Sequence, residues 1–133
     1  AEDQAILAAA DALYGRAREA MDRQGLKIYL DAVWAVVADA NRYFAGEEPW
    51  AKRKTDPERM GAILYVTAEV VRQVAILAAP VMPSSAAKLL DLLGVPEDAR
   101  RFANLGGAGR LTPGTSLPAP QAVFPRYVEE ASA

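Results

Sequence analysis

Along most of the chain apolar residues recur at helical spacing, and no pair of alternating, strand-like runs interrupts them. In the first helix this predicts, Ile6, Ala10, Leu13, Ala17, Ala20, Met21 and Gln24 fall on one side, with Arg18, Glu19, Asp22 and Arg23 away from its centre. Asp3 suits its N-cap and Gly25 its stop. The second helix places Leu26, Tyr29, Leu30, Val33, Val37, Ala40 and Phe44 on one stripe. Lys27, Asp31 and Arg42 face the other way, and Gly46 and Pro49 mark its end. The third opens at Asp56-Pro57-Glu58, with a capping carboxylate, a proline at the first helical position and an acid at the positive end of the helix dipole. Met60, Leu64, Thr67, Val71, Val74, Ala75 and Ala78 form its central stripe, with Ile63, Val70 and Leu77 on the flank. So broad an arc implies packing on more than one side. Pro80 ends this helix near Ala79, because it lacks an N–H and restricts the residue before it. A short fourth helix follows Pro83-Ser84-Ser85 and runs through Leu89, Leu90 and Leu93 to Gly94.

Beyond Gly94 the pattern changes. Pro96-Glu97-Asp98 can open one more helical turn up to Phe102, but from Leu105 to Pro125 glycine and proline are too frequent for a regular helix. There is no internal repeat. The expected fold class is all-α: an antiparallel helix bundle over residues 1–103, with an irregular Gly/Pro-rich C-terminal tail over 104–133.

Composition narrows the chemistry. The 133 residues, 52% hydrophobic and 24% charged, suit one globular domain with a real core. There is no cysteine, which excludes disulfides, thiolate nucleophiles and Cys-type zinc sites. There is no histidine either, which removes Ser-His-Asp and Cys-His machinery and the commonest metal ligand. No pair of acids stands out from surface charge, so no catalytic residue, metal site or cofactor is expected in this chain. No uninterrupted apolar run approaches the roughly 18 residues of a membrane span, and Ala1-Glu2-Asp3-Gln4 is acidic, unlike a signal peptide. No membrane partner and a cytoplasmic location are the expectations.

The net charge of −2 is unlike that of a strongly basic nucleic-acid protein, yet the cations are clustered. Lys52, Arg53 and Lys54 form one group. Arg100, Arg101, Arg110 and Arg126 lie in a stretch from Ala99 to Val128 that holds no acid. Trp50 is the most informative single residue. It follows Pro49, which fixes the backbone before it, and leads into the first basic group. An aromatic ring held beside several cations can stack on an unpaired RNA base while the cations meet phosphates. The alternative is a Trp wedged into the end of the bundle beside lysines that only face water. Trp34 reads as packing at the edge of the core, and Asn41 and Arg42 as helix-surface residues within reach of a ligand. The glycines of Leu105-Gly106-Gly107-Ala108-Gly109 lack the strand before and the helix after that a phosphate loop needs. The tail arginines suit solubility or docking better than RNA.

The order of motifs adds a resemblance. Asn41-Arg42-Tyr43-Phe44, then Glu48-Pro49-Trp50 with its basic followers, resembles a segment of the anticodon-binding domains of class I aminoacyl-tRNA synthetases, methionyl-tRNA synthetases above all. Ala79-Pro80-Val81-Met82-Pro83 with Leu89-Leu90 and Leu93-Gly94 is similar to the family's next landmark, and Val123-Phe124-Pro125-Arg126 to its closing tail. Together they span about residues 26 to 127. The leucyl, isoleucyl and valyl enzymes share the Asn…Pro-Trp theme but follow it less well through the tail. The resemblance implies a domain that reads the CAU anticodon of methionine tRNA, with Trp50 stacking on the first anticodon base. It makes Arg42, Lys52, Arg53 and Lys54 candidates for backbone contacts. The family's recognition Asn and Arg sit on a helix that would precede Ala1, and that role is not transferred to Arg16 or Arg18. Nor does a HIGH-like or KMSKS-like string occur. The implied reading is a non-catalytic fragment whose partners are the anticodon loop and the catalytic domain of its parent, where ATP is used. A missing helix would leave an apolar groove and permit self-association. The competing reading is a helical protein-interaction module with no RNA role.

Overall fold

The computed structural model describes residues 1–129, so the last four positions of the predicted tail, 130–133, lie outside the described residues. The first predicted helix is two segments, α1 (Glu2–Asp11) and α2 (Leu13–Asp22), joined through Ala12 at φ −75° and ψ −13°. The ladder stretches there, with the Arg16 N–H reaching the Ala12 carbonyl at 3.4 Å. Asp3 is not the N-cap. Ala1 holds that position, and the Asp3 carboxylate lies inside the first turn, committed to partners across the bundle. Gly25 is not the left-handed stop either. Gln24 takes φ 57°, and the N–H groups of Gln24 and Gly25 close a Schellman motif on the carbonyls of Met21 and Ala20, at 2.9 and 2.8 Å. Glycine follows for steric reasons: a Cβ at Gly25 would lie 3.1 Å from the Ala20 carbonyl oxygen and 3.1 Å from the end of Ile28.

The remaining helices are α3 (Leu26–Glu47), a single turn α4 (Pro49–Lys52) not anticipated from periodicity, α5 (Pro57–Ala78) and α6 (Pro83–Leu92). Asp56 caps α5 as expected, accepting the Arg59 N–H at 3.0 Å. α6 ends in a second Schellman motif with Gly94 at φ 69° and the Val95 N–H on the Leu90 carbonyl at 3.0 Å. The helical turn expected after Pro96 is a pair of 3-10 turns, Glu97–Ala99 and Phe102–Asn104, and a third covers Gly106–Gly109.

Long-range hydrogen bonds fix the packing directions. At one end the Tyr29 hydroxyl, near the start of α3, donates to the Leu77 carbonyl of α5. At the other end Glu47 meets Arg59, so α3 and α5 are antiparallel. Asp3 meets Arg59 and Asp11 meets Gln73, so α1 runs alongside α5 in the same direction. Ile6, Leu13, Ala17, Val33, Val36, Val66, Val70, Ile76, Leu77 and Leu90 close the core between these helices. The helical, antiparallel architecture is as the sequence predicts.

The buried face of α5 is not. Leu64, assigned to the central stripe, is 45% exposed, whereas Ile63, Val66, Glu69, Val70, Arg72, Gln73, Ile76 and Leu77 are buried. The polar residues on this side satisfy one another. Arg72 forks onto Glu69 at 2.9 and 2.6 Å, and Gln73 donates to Asp11 at 2.9 Å. α5, long and apolar enough by length and hydropathy to cross a membrane, carries these buried polar groups and packs against α1, α3, α4 and α6. The displaced apolar stripe lines a groove of about 330 Å³ between α3 and α5, with Trp34, Val37, Phe44, Val71 and Val74 among its walls and Leu89 of α6 and Phe124 of the tail at its edge.

Candidate nucleic-acid interface

Trp50 stands at the turn between α3 and α5. The last residue of α3 is Glu47, and Glu48 then takes the left-handed conformation at φ 45°, ψ 59°, a region sparsely occupied by residues with a Cβ. Pro49 follows, buried, and opens α4. Trp50 is 58% exposed, so it is not wedged into the bundle end. Its inner side rests on Phe44, the ring centroids 5.8 Å apart and the planes tilted by 58°. Phe44 also walls the groove, as do Trp34, 49% exposed, and Asn41. Trp34 therefore lies further out than packing at the core edge predicts.

The predicted basic contacts are not equivalent. Arg53 and Lys54 are exposed, in the loop between α4 and α5. Lys52 is half-buried and its ammonium donates to the Glu47 carbonyl, capping the end of α3. Arg42 is exposed on α3 and paired with Asp39, and it lines a depression against α1 with Glu2 and Tyr43.

A cluster that sequence reasoning missed lies under this turn. The Arg59 guanidinium grips Asp3 with both terminal nitrogens, at 2.5 and 2.8 Å, and reaches Glu47 at 2.8 Å. The Tyr43 hydroxyl donates to the same Asp3 carboxylate at 2.8 Å. The hydrogen bonds from Arg59 and Tyr43 outweigh burial and hold Asp3 down at about 2. Burial first, then the bond to Asp3, pushes the Tyr43 phenol up, while Asp3 and Glu47 raise Arg59 further. No local signal could have found the cluster, since Asp3 and Arg59 are 56 positions apart.

The arrangement offers a stacking surface and exposed cations, with no acid–base pair poised for chemistry. Among the described residues no group of three His, Cys, Asp or Glu side chains is placed to hold a metal. Comparison with known proteins identifies the family. A family described as the anticodon binding domain of methionyl tRNA ligase matches residues 1–133. The methionine–tRNA ligase of Rhizobium meliloti (strain 1021) is 65% identical over 127 residues, 96% of this chain and 25% of that protein. That of Brucella suis is 63% identical over 96% of this chain and 24% of its own length. The apo Mycobacterium tuberculosis methionyl-tRNA synthetase superposes with a TM-score of 0.88 at 48% identity, covering 97% of this chain and 26% of that one. The same enzyme in complex with methionyl-adenylate gives 0.89 at 50% identity, covering 94% and 25%. The chain thus spans about a quarter of the length of the relatives it matches. The matched family is the methionyl one rather than the leucyl, isoleucyl or valyl, and the chain belongs to the family of anticodon-binding domains of methionyl-tRNA ligase.

Proposed function

We propose that this chain is the anticodon-reading part of a longer, cytoplasmic methionine–tRNA ligase, and that it recognises the CAU anticodon of methionine tRNA. Trp50 stacks on the first anticodon base. Arg53 and Lys54 meet the adjoining phosphates, with Arg42 at the margin and Lys52 acting first as a helix cap. The observation that carries this is a ring that is mostly exposed yet fixed at its root, between left-handed Glu48, buried Pro49 and Phe44. Exposing so much aromatic surface on a rigid turn wastes burial unless a flat, apolar partner covers it. Methionine activation with ATP belongs to the parent's catalytic domain, and the α3–α5 groove is a surface that the rest of the parent covers. Left open in the isolated chain, the groove is a surface for self-association.

The test is binding of a methionine tRNA anticodon hairpin to the chain, against a hairpin altered at the first anticodon base. Preference for the unaltered hairpin supports the proposal. Equal binding of both, or of neither, returns the domain to the protein-interaction reading.

A further inference from the structure

We infer that Arg59 is a positioning residue for Trp50, acting through Glu47. The inference rests on Trp50 being the base-stacking residue.

Three residues separate the Arg59 clamp from the indole ring, and each has little freedom. Glu47 is held twice, its carboxylate by Arg59 at 2.8 Å and its carbonyl by the Lys52 ammonium. Glu48 is left-handed, a conformation unfavourable for a side chain with a Cβ that persists where its surroundings over-determine it. Pro49 has its φ set by its own ring and is buried. The direction in which Trp50 leaves the backbone therefore follows from where Glu47 is pinned. Arg59 provides the pin from α5, and Asp3 braces it from α1 by accepting both guanidinium nitrogens. Its hydrogen bonds are directed at two carboxylates rather than outward, so it does not serve as a phosphate ligand. Removing the guanidinium leaves Asp3, Glu47 and the Tyr43 oxygen facing one another without a cation. The end of α3 then shifts, and Trp50 with it.

A double-mutant cycle distinguishes positioning from general stability and from direct RNA contact. The proteins are the full-length ligase, Trp50→Ala, Arg59→Leu, Glu47→Ala and each of the last two combined with Trp50→Ala. The readout is the KM for methionine tRNA in aminoacylation. Singly, Arg59→Leu and Glu47→Ala are each expected to raise KM ~5-fold, the lower end of what a lost base–aromatic stack costs. In the Trp50→Ala background they add almost nothing. An equal rise in both backgrounds overturns the inference alone, because Arg59 and Glu47 would then act independently of Trp50. A Trp50→Ala enzyme with unchanged KM overturns the inference together with the stacking role on which it rests. Glu47→Ala keeps the cycle decisive if Arg59→Leu does not fold, since alanine is favourable at the end of a helix.

Discussion

Arg110 and Asp11 stand 99 positions apart in sequence, and their side chains meet at 2.8 Å. That pair straps the Gly/Pro-rich segment across the first helix, and it does not act alone. Arg110 also reaches Glu69 at 3.2 Å, and Glu69 accepts the Leu111 N–H at 3.0 Å. Arg72 donates to the Asn104 carbonyl at 2.8 Å, and Gln73 accepts the Gly106 N–H at 3.0 Å. A segment too rich in glycine and proline to form a helix thus spends its backbone groups on buried side chains of α5. Every buried side-chain polar atom among the described residues has a partner. Burial opposes the charge on Arg110, but the hydrogen bonds to Asp11 and Glu69 prevail and raise it.

Arg72 is the keystone of this network, fully buried and bonded to Glu69, Asn104 and Gly106. Arg72→Leu should cost about 3 kcal/mol in urea unfolding, the lower end of the penalty for removing one partner of a buried ion pair, because Arg110, Gln73 and the Leu111 N–H still hold Glu69 while the Asn104 and Gly106 carbonyls lose their donor.

Gly109 tests the docking of the tail by sterics alone. A Cβ there would lie 1.9 Å from the Asn104 carbonyl oxygen and 2.9 Å from Arg72. Gly109→Ala should lower stability by about 1–3 kcal/mol, the range for overpacking. It should also speed tryptic cleavage after Arg110, read by limited proteolysis, while the helical circular dichroism stays near that of the parent.

The Asp3 clamp predicts a pH dependence with a definite sign. Asp3 is held near 2 against a usual 3.8, so its ionised form is favoured in the folded state. The stabilisation is present above pH 4 and is lost as pH falls from about 4 towards 2. Stability measured as the difference between the parent and Asp3→Asn should shrink over that window by about 1 kcal/mol, after allowance for solvent screening. A difference that stays constant from pH 5 to about 2 would mean that Asp3 is not held by Arg59.

What was legible in the sequence was local. Asp56, Pro57 and Gly94 mark ends of α5 and α6 because capping is decided within a few residues. Trp50 stood out because Pro49 and three cations adjoin it. What was illegible joins distant positions. Asp3 resembles an N-cap until Arg59 claims it, and nothing local shows that Glu69 and Arg72 lie buried under the tail. Apolar periodicity alone therefore centres the α5 stripe on the groove rather than on the core. Gly25 resembles the stop, but the left-handed residue is its neighbour Gln24, which no composition rule singles out.

The cations near Trp50 should separate by role. Arg53 and Lys54, both exposed, should each weaken tRNA binding about equally for all anticodons when replaced by alanine, and flatten its salt dependence. Lys52→Ala should also lower the melting temperature, because the end of α3 loses its cap.

Trp50 itself gives the most direct test of anticodon recognition. With Trp34→Phe in place, Trp50 is the sole tryptophan, and its fluorescence reports only the α3–α5 turn. Titration with a CAU anticodon hairpin should quench this emission saturably, and a hairpin with no base at the first anticodon position should quench it less and bind more weakly by about 1–3 kcal/mol. No change in emission at concentrations where the hairpin is bound, or the same quenching by both hairpins, would contradict the placement of Trp50 against the anticodon.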